Sequence, residues 1–156
     1  MRKITTLALH SLFLGLVGCA PTSQYGNFIQ SATLDQRRLA ADAVQQLSTL
    51  YAPAHTRLEL QQPTPDPFGQ ALVKSLRDKG YALQEFAPAD AAPITTPPQP
   101  ATPVAPNGLS LRYVLDQASD SNLYRLTLLV GSQSITRPYV IQNGSFAPAG
   151  YWVRKE

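Results

Sequence analysis

The sequence is poor in the residues that usually carry chemistry. It holds one cysteine, Cys19, in 156 residues, so no disulfide can close within the chain and the fold must rest on packing. It holds two histidines, His10 and His55. His10 falls in an N-terminal apolar stretch, which leaves His55 as a lone imidazole, a residue type that more often packs or faces solvent than acts as a base. Without a second histidine or a free thiol beside it, a zinc site lacks its ligands. Charge is sparse as well. There are 13 Lys and Arg against 10 Asp and Glu, and setting aside Arg2 and Lys3 leaves 11 against 10, a net +1. No basic patch argues for direct contact with nucleic acid. The carboxylates are scattered, and Asp116 and Asp120 flank an expected turn. Gly26, Gly69 and Gly80 are too far apart to cradle a phosphate. "VGSQS" at Val130–Ser134 does not follow the nucleophile-elbow pattern and sits in a hairpin. These absences argue against an enzyme and leave no catalytic set, no cofactor and no metal to expect.

What is present begins at the N-terminus. Arg2 and Lys3 precede an apolar run from about Ile4 to Val17, and small residues then lead to Cys19. That is the layout of a secretory signal peptide over residues 1–18, and the run falls short of the roughly 20 apolar residues that span a bilayer. Leu16, Val17, Gly18 and Cys19 resemble a bacterial lipobox. The resemblance implies a diacylglycerol on the Cys19 sulfur, cleavage before Cys19 and acylation of the new amine by a palmitate-type chain. Each buried methylene contributes about 0.8 kcal/mol, and three chains exceed the two signals that stable anchoring needs. Ala20 stands where an aspartate would favour inner-membrane retention. By resemblance to enterobacterial sorting, this expects an outer-membrane lipoprotein held on the periplasmic face, its first partner being membrane lipid through Cys19.

Residues 19–32 are small and polar apart from Tyr25 and Phe28, and are expected to form a flexible tether after the anchor. Residues 33–156 then make a single α+β domain. "TLDQ" at Thr33–Gln36 is a capping-box candidate. Leu39, Ala43 and Leu47, with Ala40 and Val44, form one helical stripe that ends near Leu50, while Arg38, Asp42, Gln45 and Gln46 face away. "HTRLELQ" alternates as a strand. Asp66 and Pro67 start a second helix with Phe68, Leu72, Val73 and Leu76 inward, closed by Gly80. "YALQEF" is a second strand. Residues 87–107 hold seven of the 14 prolines and break both helix and sheet, an extended linker or insertion.

Four strands are expected after the linker: "LSLRYVLD", "LYRLTLLV", "QSITRPYVI" and the closing "GYWVR". Asn143-Gly144 is the strongest hairpin signal. The fold class is α+β, two helices packed on a mixed, mainly antiparallel sheet with a proline-rich insertion. Tyr139, Phe146, Tyr151 and Trp152 gather in the last hairpin, and Pro138 suggests a sheet edge there. Pro138, Tyr139, Tyr151 and Trp152 are therefore the candidate interface, because an exposed edge accepts a partner's strand.

Several segments also resemble the TrbH family, small lipoproteins encoded with the mating-pair formation genes of conjugative plasmids. They are "QYGNFIQ", "LAADAVQQL", "DPFGQALVKSLRDKGYALQEF", "LRYVLDQ", "LYRLTL" and the ending "APAGYWVRKE". The resemblance implies an outer-membrane lipoprotein subunit of a conjugative type IV secretion system. It would anchor or stabilise the mating-pair formation core complex among other core-complex subunits in a hetero-oligomeric ring. The residues alone also admit a periplasmic lipoprotein regulator that binds an envelope polymer-synthesis enzyme or glycan.

Overall fold

The computed structural model describes residues 23–29, 35–88, 108–119 and 121–156. The expected leader, the expected lipobox with Cys19, Thr33 of the expected capping box and residues 89–107 of the proline-rich stretch lie outside the described residues.

Helix α1 spans Arg37–Leu50 and buries the expected stripe of Leu39, Ala40, Ala43, Val44 and Leu47. Its start differs from the capping box. Gln36 is the N-cap residue and makes no side-chain cap. The Asp35 carboxylate instead accepts from the Arg37 backbone N–H at 3.0 Å and pairs with the Arg37 guanidinium, contacts that hold its pKa below the usual carboxylate range. Gln36 is drawn into the core, where its side-chain oxygen accepts from Asn27 Nδ2 at 2.8 Å.

Helix α2, Pro67–Asp78, follows the local signals closely. The Asp66 side chain accepts from the Gly69 N–H and Pro67 occupies the first turn. At the other end Gly80, with φ +89°, donates to Arg77 O at 2.9 Å and Tyr81 donates to Leu76 O at 3.1 Å. This is the paired closure of a Schellman motif, which needs the left-handed conformation that glycine adopts without strain.

The strands are β1 (Gly26–Asn27), β2 (Arg57–Leu60), β3 (Ala82–Gln84), β4 (Leu109–Gln117), β5 (Leu123–Val130), β6 (Gln133–Gln142), β7 (Ser145–Pro148) and β8 (Val153–Lys155). They form one sheet in the order β3-β2-β4-β5-β6-β7, with β1 beside β4 and β8 beside β6. The β2-α2-β3 unit and the pairings of β2 and β1 with β4 are parallel, and the rest of the sheet is antiparallel. The fold is therefore α+β on a mixed sheet. Asn143 and Gly144 have φ of +52° and +71°, so the β6–β7 turn is the type I′ form that matches strand twist.

Alternation gives each strand an inner and an outer side. The inner face (Leu58, Leu60, Leu111, Tyr113, Leu115, Tyr124, Leu126, Leu128, Ile135 and Tyr139) shares one buried cluster with the stripes of α1 and α2. Each such large side chain contributes about 1.5–3 kcal/mol when fully buried. On the outer face stand Ser110, Arg112, Val114, Asp116, Arg125, Thr127, Leu129, Ser134, Thr136 and Pro138, and none of these is buried.

Two expectations change here. The first concerns the tether. Within it, Gly26 and Asn27 pair with Val114 and Leu115 of β4, Phe28 N–H donates to Leu115 O at 2.8 Å, Tyr25 lies against Arg112 and Ile29 packs on the core, so Tyr25–Ile29 are bound to the domain. β2 covers β4 as far as Leu111, and β1 takes over from Val114. Between them the buried Gln62 side chain accepts from Tyr113 N–H at 3.0 Å.

The second concerns Pro138, which does not mark an edge. β6 has β5 on one side and β7, then β8, on the other. β7 pairs as far as Tyr139 and β8 resumes at Thr136. Pro138 lies where one hands over to the other, and its carbonyl accepts from Ala149 N–H at 2.9 Å on that side. A residue's N–H and C=O point to the same side of a strand, so the missing donor falls in the gap and costs no ladder bond. The sheet also has a fifth strand after the linker, β7, which follows the Asn143-Gly144 turn.

Candidate functional site

The expected interface residues separate into different environments. Tyr139 is 1% exposed and belongs to the core, whereas Tyr151 is 90% exposed. Trp152 is half-buried, its ring edge-on to Tyr139 at 6.5 Å between centroids. Pro138 stands on the outer face, beneath the crossing from β7 to β8. Tyr139 is therefore unavailable to a partner, and Tyr151 is the residue of the four most open to one.

What holds this corner is a charge that sequence periodicity does not reveal. Arg137 lies on the inner side of β6, opposite Leu126. Its Nη1 donates to both Asp42 oxygens at 2.9 Å, and its Nε donates to Gly150 O at 2.8 Å. Its guanidinium also lies 5.8 Å from the Tyr139 ring and 5.9 Å from the Trp152 ring. Tyr139 OH donates to Asp42. Helical spacing alone points Asp42 away from the core. It instead sits at the border of the α1 stripe, where β6 supplies a cation and a hydroxyl from 95 and 97 residues along the chain. Burial first, and then the bond to Asp42, raises the Tyr139 pKa above the ordinary tyrosine range, against an opposing effect of Arg137.

A matching arrangement joins α2 to β4. Tyr113 OH donates to the Asp66 carboxylate, whose other oxygen accepts from Gly69 N–H at 2.9 Å and from Asn27 Nδ2 at 3.2 Å. Each helix is thus fastened to the sheet by an aspartate that receives a buried tyrosine hydroxyl. Such pairs hold the layers together. His55 is exposed at the end of a 3-10 turn, Pro53–His55. Among the described residues, no group of three or more His, Cys, Asp or Glu could hold a metal ion.

Gly150 explains why the crossing to β8 runs so close. A Cβ there would lie 2.9 Å from Pro138 Cγ and 3.4 Å from its Cδ. Gly150→Ala should therefore lower stability by about 1–3 kcal/mol through overpacking against a rigid ring. Pro138→Ala in the same chain should recover most of that loss, as read from denaturant midpoints in a double-mutant cycle. Equal losses in both backgrounds would disprove the contact.

The other surface is the outer face. Arg125 pairs with Asp116 through two nitrogens, which raises the Arg125 pKa. Thr127 and Thr136 meet across strands at 3.0 Å. An apolar hollow of about 220 Å³ opens among Asp116, Leu123, Arg125, Thr136 and Pro138. At the β1 side the Arg112 guanidinium lies 4.9 Å over the Tyr25 ring.

Residues 22–156 match the family model described as conjugal transfer protein TrbH. The chain belongs to the TrbH family. Membership ties it to conjugal transfer and points to other components of the transfer system as its partners. No curated protein and no solved structure matches the chain significantly. The TrbH match takes in the described part of the domain, from β1 with its Asn27 contacts to the Gly150 crossing and β8.

Proposed function

We propose that the chain is an outer-membrane lipoprotein subunit of a conjugative type IV secretion system, where it anchors or stabilises the mating-pair formation core complex. The observation that carries this reading is a TrbH match beginning at residue 22, directly behind a Leu16-Val17-Gly18-Cys19 lipobox. The fold is compatible with it. The domain is small, a single buried core with two aspartate–tyrosine fastenings holds it together, and among the described residues both helices pack on one face of the sheet. A subunit of this kind works by position. Acyl chains hold it at the bilayer and keep its local concentration high, so weak contacts with neighbours become effective.

Cys19→Ser should release the protein into the soluble periplasmic fraction and lower mating frequency by about tenfold or more, since the loss is one of effective concentration. Mass spectrometry of the mature wild-type protein should find a triacylated Cys19 as the first residue. Wild-type mating by the detached variant would refute the anchoring role. Crosslinking in donor cells should capture ring-forming channel subunits, and capture of a polymer synthase in their place would favour the regulator reading.

A further inference from the structure

Fixing β1 to the sheet shortens the tether and so constrains how the domain can sit on a membrane. Asn27 Nδ2 donates to Gln36 and Asp66 side chains from α1's start and α2's cap, and Phe28 N–H donates to β4. Ahead of this latch Tyr25 is held against Arg112, a residue of the outer face. From Cys19 to Tyr25 is six residues, which reach about 21 Å at full extension. Taking Cys19 as lipidated, as in the function proposed above, the bilayer surface lies within that distance of the Arg112 side of the sheet. Reaching past the helix layer instead would add roughly 10–12 Å for a helix diameter, besides the sheet itself and the path around it. The Arg112 side is therefore the nearer of the two faces to Cys19.

The chemistry of the outer face agrees with that geometry. It carries Arg57, Arg112, Arg125 and Lys155 against Glu59 and Asp116, four cations to two carboxylates. Arg57 and Arg125 are paired with Glu59 and Asp116, which leaves Arg112 and Lys155 without a carboxylate partner among the described residues. Between these charges Leu123 and Val153 are exposed, the latter at 64%. Apolar side chains flanked by cations and an aromatic suit the headgroup region of an anionic bilayer. We propose that the face of the sheet opposite α1 and α2, from Tyr25 and Arg112 to Val153 and Lys155, rests on the anionic phospholipid surface and turns α1 and α2 toward the aqueous compartment.

The test uses the lipidated full chain reconstituted in vesicles containing phosphatidylglycerol. Spin labels are placed singly at Leu123→Cys and Val153→Cys on the sheet face, and at Gln45→Cys and Lys74→Cys on the helices; Cys19 is blocked by its lipid. On vesicle binding, the two sheet labels should lose accessibility to a water-soluble relaxation reagent severalfold and gain it to a lipid-soluble one. The helix labels should not change. Arg112→Glu with Lys155→Glu should reverse the shift at the sheet labels while the protein stays anchored. Labels that remain equally water-accessible on all four sites, or shielding of the helix labels, would overturn the orientation. So would shielding of the sheet labels that appears only when channel subunits are added, which would assign the face to a protein. A chain that does not float with the vesicles would instead remove the lipid anchor itself, so the two failures are distinguishable.

Discussion

Replacing Asp66 with alanine is expected to lower folding stability by about 2–4 kcal/mol. Asp66 receives three donors: Gly69 N–H at 2.9 Å, Asn27 Nδ2 at 3.2 Å and the Tyr113 hydroxyl. Loss of the cap on α2 accounts for about 1 kcal/mol. Leaving the fully buried Tyr113 hydroxyl without an acceptor adds about 1–3 kcal/mol. Local relaxation cannot absorb the change easily. The first turn of α2 is packed so closely on Tyr113 that a Cβ at Gly69 would lie 2.4 Å from the Tyr113 oxygen and 2.8 Å from Thr64 Cβ. Removing the donor as well should help, so Asp66→Ala with Tyr113→Phe should cost less than the sum of the single changes. Denaturant unfolding of the purified protein measures all three. A loss under about 0.5 kcal/mol, within the range of ordinary surface substitutions, would show that Asp66 does not fasten the layers. Hydrogen exchange adds a local readout, since the Phe28 amide should exchange faster once Asn27 loses its Asp66 contact.

Raising the pH above about 10 should unfold the protein cooperatively. Burial, followed by hydrogen bonding to Asp66 or Asp42, raises the pKa of Tyr113 and Tyr139 above the ordinary value, and burial alone raises that of Tyr81. The native state therefore keeps these protons at a pH where the unfolded chain releases them. Below the unfolded value near 10 the stabilisation is fully present, and it is lost as pH rises from there toward the folded values. Tyr113 and Tyr139 are each 1% exposed or less, and each contributes a slope of about 1.4 kcal/mol per pH unit. Two pH units are thus enough to remove about 5 kcal/mol, comparable to the whole stability of a small domain. The melting temperature should be flat from pH 8 to about 10 and then fall steeply. Phenolate absorbance from Tyr81, Tyr113 and Tyr139 should appear only together with unfolding. Complete, independent titration of all of them in a chain that stays folded would refute the argument.

By itself the sequence determined most of the spans. α2 was legible from end to end because its signals are short-range: Asp66 caps a backbone N–H three residues on, Pro67 fits the first turn, and Gly80 closes the last. The α1 stripe, β5 at Leu123–Val130 and the Asn143-Gly144 turn were legible for the same reason, since periodicity and backbone preference act over a few residues. Family kinship was legible from segments spread along the chain, and the match over residues 22–156 agrees with them. Only the tertiary structure decided who meets whom. β1 is a two-residue strand with no period to detect, held by side chains from α1's start and α2's cap. Asp42 resembles a solvent residue until β6 brings Arg137 and Tyr139 to it. Pro138 resembles an edge marker until β7 and β8 share one side of β6 and place the missing donor between them. The deciding partner lies 39 residues from Asn27 and 95 from Asp42, and for Pro138 it is the crossing from β7 to β8; none of these contacts exists until the chain has folded back and burial has brought the layers together.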